Sequence, residues 1–212
     1  MKWYRLALLS SSLLMVACLT ACAVKSEQGT ATSSSQQVTE VNAEEAQKFT
    51  SQHSSKIVSK EELEGGGGVI AFEDETQFIR MFDSIEGEYY MLYYPSGCTV
   101  TYFVESESYI VATDEYEGAE KSSEAKGQVG QYSAESGYSI SFANDGTLTV
   151  DLQGNFIHQT NDQEQNGNIE EAEGRSYVDS LLNKYGIPNL AFYETFVKEA
   201  VADAKTYFTD NE

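Results

Sequence analysis

From Tyr89 onward the apolar residues of this chain recur every second position, and that change of period constrains the fold more than any other feature. Tyr89 to Tyr94 (YYMLYY) is apolar on both faces and reads as a buried strand, and Pro95-Ser96-Gly97 supplies a turn. Val100, Tyr102 and Val104 alternate on the next strand, then Tyr109, Val111 and Thr113 on another. Tyr138, Ile140 and Phe142 alternate with small residues, as do Leu148, Val150 and Leu152. Between these two lies Ala143-Asn144-Asp145-Gly146, whose Asp-Gly step is a strong hairpin signal. Gln128 to Tyr132 and Asn155 to His158 are further strand candidates, and the acidic Asp114 to Gly127 is expected to be a long loop. Six or seven sequential strands with short turns predict an antiparallel meander, closed or nearly closed so that few edges stay unpaired.

The segments on either side have a helical period. Asp74 and Glu75 offer negative charge to a helix start, and Phe78, Phe82 and Ile85 then fall on one face up to Gly87. Near the C-terminus, Tyr177, Val178, Leu181, Leu182 and Tyr185 form a stripe, and Gly186 with Pro188 stops it. Asn189 caps a second helix with Phe192, Phe196, Ala200, Ala204 and Phe208 on its apolar face, supported by Glu194 four residues before Lys198. Both stripes need cover, so the expected class is α+β: a small barrel or meander with a short N-terminal helix and two C-terminal helices packed on it.

Upstream, the chain reads as an address and a tether. Lys2 and Arg5 form a positive n-region, and Leu6 to Leu19 is an apolar run too short to span a bilayer as a permanent helix. Leu19-Thr20-Ala21-Cys22 resembles the lipobox of bacterial lipoproteins in all four positions. The resemblance implies cleavage before Cys22, a diacylglyceryl group on its sulfur, and a protein held on the outer face of the cell membrane. Cys18, after Met15-Val16-Ala17, offers a second reading that fits the pattern less well, and an ordinary secretory signal is a third. The domains are then 1–21 signal, 22–68 tether and 69–212 globular. The tether rests on residues 23–40, rich in Ser, Thr and Gln with no aromatic, and on the glycine run Gly65 to Gly68.

Charge excludes some partners. The net charge is −21, and removal of residues 1–21 leaves 11 basic against 34 acidic residues, or −23. Nucleic acid needs clustered Lys and Arg for counterion release, so nucleic-acid binding is excluded. Anionic headgroups are repelled too, so the lipid on Cys22 has to supply membrane attachment. In the mature chain only Cys22 and Cys98 remain, and a lipidated Cys22 leaves no intramolecular disulfide.

Gly87-Glu88-Tyr89 followed by sequential strands and a terminal helix resembles the lipocalin-like barrels over roughly residues 78–208, with Tyr89 where that family has tryptophan. The resemblance implies a barrel interior for a small apolar ligand; an interior filled by its own side chains is the other reading. Four further features bear on function. Cys98 follows a turn and runs on as a strand, without the helix start or second cysteine of thiol-redox proteins. Asp162 to Glu173 resembles an EF-hand calcium loop, which would take oxygens from Asp162, Glu164, Asn166, Asn168 and Glu173; a solvated acidic loop explains the same letters. Tyr89, Tyr90, Tyr93, Tyr94, Tyr102 and Tyr109 are either a stacking platform for sugars or peptides or strand core with wet hydroxyls. His53 lies in the tether and His158 lacks a recognisable partner, so no catalytic, cofactor or metal residues are assigned. The expected function is a non-enzymatic, lipid-anchored binding or interaction module for a small apolar ligand or an envelope protein. An envelope enzyme with an unrecognised carboxylate site and a calcium-dependent surface protein are the alternatives.

Overall fold

A computed structural model describes residues 41–113 and 127–209. They form one antiparallel sheet whose eleven strands follow one another in sequence order, so that every strand pairs with its chain neighbours. In order they are α1 (Ala43–Ala46), β1 (Ile57–Glu62), β2 (Gly68–Phe72), β3 (Gln77–Asp83), β4 (Gly87–Tyr93), β5 (Cys98–Phe103) and β6 (Ser108–Thr113). After them come β7 (Gln128–Ser133), β8 (Gly137–Phe142), β9 (Gly146–Val150), β10 (Asn155–Gln159), β11 (Glu164–Asn168), α2 (Ala172–Asn183) and α3 (Leu190–Thr209).

The α+β class, the meander and the two C-terminal helices agree with the sequence reading, whereas the small barrel does not. β1 pairs only with β2 and β11 only with β10, so the sheet is open. Closure is not needed to protect edges here. β1 presents Lys60, Glu61 and Glu62, and β11 presents Glu164, Gln165 and Asn166, all exposed and all poor templates for a further strand.

Four strands escape the sequence reading, each for a physical reason. β3 occupies the segment expected to be a helix: Phe78 and Phe82 are four apart, a spacing that fits both a helical face and one face of a strand. β11 runs through the EF-hand-like stretch and has no apolar residue, so it is held by its backbone pairing with β10 and by the Asn168 side chain, which donates to Asn155 Oδ1 at 3.0 Å. β1 and the β2 strand beside the glycine run lie in or next to the expected tether. Residues 41–68 carry α1 and β1, and β1 joins the sheet through pairs such as Lys60 with Ile70. Residues 22–40 and most of the expected loop, 114–126, lie outside the described residues.

Register puts one apolar residue of nearly every strand in a single row: Ile70, Phe78, Leu92, Val100, Val111, Gly130, Ile140, Leu148 and His158. Apart from Gly130 and His158 these are apolar, and all seven are at most 3% exposed. Each fully buried aliphatic or aromatic side chain contributes roughly 1.5–3 kcal/mol. The two helices cover this face. Val178, Leu181 and Leu182 come down from α2, and Tyr193, Phe196, Val197, Ala200, Val201 and Ala204 from α3. The α3 face is thus rotated toward Tyr193, Val197 and Val201 relative to the expected stripe.

Two glycines show how closely the parts approach. A Cβ on Gly130 would lie 2.8 Å from the Tyr193 ring, so only glycine lets α3 sit down on β7. Gly146, with φ +75°, turns the β8–β9 hairpin, and a Cβ there would lie 2.0 Å from the Gln159 carbonyl oxygen. The helix ends follow the sequence reading. Gly186 carries the positive φ that stops α2, Ile187 N–H donates to the Leu182 carbonyl at 3.1 Å, and Phe192 N–H donates to Asn189 Oδ1 at 3.0 Å.

Candidate functional site

The side of the sheet facing away from α2 and α3 is the most distinctive surface of the molecule. Pairing fixes its composition. One outward row runs Val69, Ile79, Met91, Thr101, Ile110, Gln131, Ser139, Thr149 and Ile157; the next runs Ala71, Gln77, Tyr93, Thr99, Ala112, Val129, Ser141, Thr147 and Gln159. Neither row holds a charge between β2 and β10. Asp83, in the last pair of the β3–β4 hairpin, is the one charged residue at an outward strand position in that span. In a chain of net charge −21, the carboxylates lie in turns, edge strands and helices, apart from Asp83 at the end of β3 and Glu88, which faces the helix side of β4. The face is graded: β2 to β6 carry its Ile, Met, Tyr and Phe, with Thr99, Thr101 and Gln77 among them, while β7 to β9 present mainly Ser, Thr and Gln, with Val129 the apolar exception.

The six tyrosines of the sequence reading separate by parity. Tyr89 and Tyr93 point outward, with Tyr93 41% exposed and the Tyr89 and Phe103 rings 5.7 Å apart on neighbouring strands. Tyr90, Tyr94 and Tyr109 are buried core, and Tyr102 is half-buried beside them. The cluster therefore divides between the two faces of the sheet, with Tyr90, Tyr94 and Tyr109 in the core and Tyr89 and Tyr93 on the outward side. At the hairpin end of β5 to β8 a cavity of about 220 Å³ opens, lined by Phe103, Ser108, Ile110, Gln131, Ser133 and Ser139 together with Tyr109, Tyr132, Ser136 and Gly137. None of these is charged.

On the helix side, Tyr90, Tyr102, Tyr109, Tyr132 and Tyr138 form a row across five adjacent strands. Tyr109 stacks on Tyr132 at 5.2 Å, and Tyr132 lies 4.9 Å from Tyr138. Burial pushes the Tyr109 and Tyr138 phenols upward from their ordinary value. At the end of the row, burial and the hydrogen bond to Glu88 do the same for Tyr90, while Arg80 Nε donates to the same Glu88 oxygen at 2.8 Å.

The histidines, which the sequence leaves without partners, are both structural anchors. His158 is 6% exposed; its Nε2–H donates to the Asp145 carbonyl oxygen at 2.5 Å and its Nδ1 lies 2.7 Å from the Tyr177 hydroxyl. Asp145 in turn accepts from the Tyr185 hydroxyl at 2.8 Å, so this cluster ties the β8–β9 turn and β10 to α2. His53 packs on Phe72 and Phe78, with Nε2 2.7 Å from Asp203 Oδ2 of α3 and Nδ1 2.8 Å from the Ser54 carbonyl. That anchor fixes residues that the sequence reading places in the tether. Among the described residues, no serine, threonine or cysteine side chain is hydrogen-bonded to either imidazole.

Cys98 is fully buried at the start of β5. Asp162 to Glu173 does not wrap round a centre: Glu164 to Asn168 are extended in β11, and Glu173 is in the first turn of α2. Among the described residues no group of three or more His, Cys, Asp or Glu is disposed to hold a metal ion. A second cavity, of about 250 Å³, lies between α2 and α3, where burial raises the Asp179 carboxyl against the opposing pull of Arg175. It holds no second carboxylate. A groove of about 720 Å³ runs from the β1–β2 hairpin to Tyr207 and Phe208, with Lys60, Glu61, Glu62 and Arg80 mixed along it.

Cys22 lies outside the described residues, and among those described no helix is long and apolar enough to cross a membrane. An open sheet has no interior for the small apolar ligand that the lipocalin resemblance implies. No family model, curated protein or solved structure matches the chain.

Proposed function

We propose that this chain is a cell-envelope lipoprotein, anchored through Cys22 on the outer face of the membrane, whose domain acts as a non-catalytic binding module through the outward sheet face. The observation that carries the reading is the exclusion of charge from two full rows of that face in a protein of net charge −21. A surface left to solubility alone would carry carboxylates at these positions, as the turns do. Keeping half-buried Met, Ile, Phe and Tyr on an open face has a cost in aggregation risk, so a use for the face accounts for it better than chance. The anchor rests on the four lipobox positions and on the repulsion between so acidic a body and anionic headgroups, which leaves attachment to the lipid.

The test is made in whole cells of the native host. Tyr93→Cys puts a thiol on the outward face, and Glu75→Cys puts one at an exposed turn. With Cys98 buried and Cys22 lipidated, a membrane-impermeant maleimide should label position 75 readily and position 93 slowly. Equal labelling of both sites in cells, matching the purified protein, would remove the binding-face reading. Fatty-acid labelling lost in Cys22→Ala tests the anchor; labelling that survives the substitution overturns it.

A further inference from the structure

We infer that the occupant of the outward face is an uncharged polysaccharide chain laid across the strands. The inference rests on the binding-face reading above and adds the chemistry of the ligand. Sugar rings offer two kinds of surface: patches of C–H that lie flat on aromatic rings, and hydroxyls that both donate and accept. The face supplies a partner for each. Tyr89, Phe103 and Tyr93 give aromatic surface at its apolar half, two of them 5.7 Å apart on adjacent strands. Gln131, Ser139 and Thr149 follow in register in the other half, and their amide and hydroxyl groups can donate and accept as sugar hydroxyls require.

Charge selects among the possible occupants. An anionic polymer or lipid surface is repelled by a body of net charge −21. A basic protein would be drawn to the carboxylates of the turns and edges, away from a face that has none to offer. A second copy packed face to face would bring two bodies of net charge −21 together, a repulsion that salt weakens. A neutral chain meets none of these costs, and a charge-free face requires no ion to be desolvated when it binds. The dimensions suit a polymer: two strand spacings cover about 10 Å, on the order of one disaccharide, so nine strands offer several repeats. The cavity of about 220 Å³ beside Phe103 and Gln131, lined only by uncharged residues, gives one sugar unit a recess that fixes its position along the face.

The test uses the full chain purified in a detergent without a sugar headgroup, with chitohexaose, cellohexaose and maltohexaose as probes. Isothermal titration, supported by sedimentation with insoluble chitin, cellulose and amylose, should find at least one of the three bound. Tyr93→Ala should weaken that binding about 3- to 10-fold, and Gln131→Glu, which puts a charge beside the cavity, should weaken it further. Both positions are at least partly exposed, and an unchanged thermal midpoint certifies that the variants fold. Binding that neither variant alters places the sugar elsewhere and overturns the inference. No binding of any probe also overturns it, and so does a Tyr93-dependent dimer in sedimentation equilibrium; slow labelling of Tyr93→Cys in cells would then leave the binding-face reading standing with a different occupant.

Discussion

Tyr193 and Gln128 are buried together beneath α3, and the Tyr193 hydroxyl donates to Gln128 Oε1 at 2.7 Å. Neither group has water to fall back on, so Tyr193→Phe should cost about 1–3 kcal/mol and lower the thermal midpoint by several degrees; an unchanged midpoint would mean the amide finds another donor. Asp74 acts at the surface. Partial burial pushes its carboxyl up, but the backbone N–H groups of Ser54 and Thr76, with the Thr76 side chain, outweigh this and hold it below the usual carboxylate range. A depressed folded-state pKa stabilises above the unfolded value and is lost as pH falls through the folded one. Asp74→Ala should therefore destabilise at pH 7 by about 0.5–1.5 kcal/mol, and urea titrations of the two proteins should converge below about pH 3. None of these partnerships was legible in the sequence: Ser54 and Asp74 are 20 residues apart, Gln128 and Tyr193 are 65, and His53 and Asp203 are 150.

Among the elements, the row of five tyrosines makes a prediction of its own. Burial raises Tyr109, Tyr138 and Tyr90 and, under the helices, Tyr193, whose shift is large. A phenol raised in the folded state contributes stability that is present below the unfolded value and lost as pH rises above it. Stability should thus fall once pH passes about 10, and the tyrosinate absorbance of this group should appear with the loss of near-ultraviolet circular dichroism. Ionisation of every tyrosine before any unfolding would contradict the burial. Elements were legible where alternation was strong: β4 to β10 and both long helices follow from apolar spacing, turn residues and the Asn189 and Gly186 signals. They were illegible where pairing came from a neighbour. β11 has no apolar residue, β1 has only Ile57 and Val58 before four polar residues, and in β3 a four-residue spacing suits either period, so only the adjoining strands determine them.

For the whole molecule, a net charge of −21 with carboxylates crowded into turns and edges implies self-repulsion of the compact state. Raising sodium chloride from about 10 mM to 150 mM shortens the Debye length from about 30 to 8 Å, and the thermal midpoint should rise by a few degrees over that range. A midpoint that falls with salt would mean the charges are mainly in favourable pairs, as Lys56 with Glu73 and Lys198 with Glu194 are. The sequence by itself determined the acidic balance, the alternating core and the two helix stripes, because these depend on composition and on residues near one another in the chain. Whether the sheet closed was a tertiary matter: residues read as tether, loop and helix extended the meander to eleven strands, and two helices buried the face that a barrel would have turned inward. The same geometry decided which tyrosines are core and which look outward, since parity on a strand has no meaning until register and helices assign the sheet an inside. The charge-free outer face is written in the sequence at every second residue, yet it becomes a surface only when nine strands lie side by side.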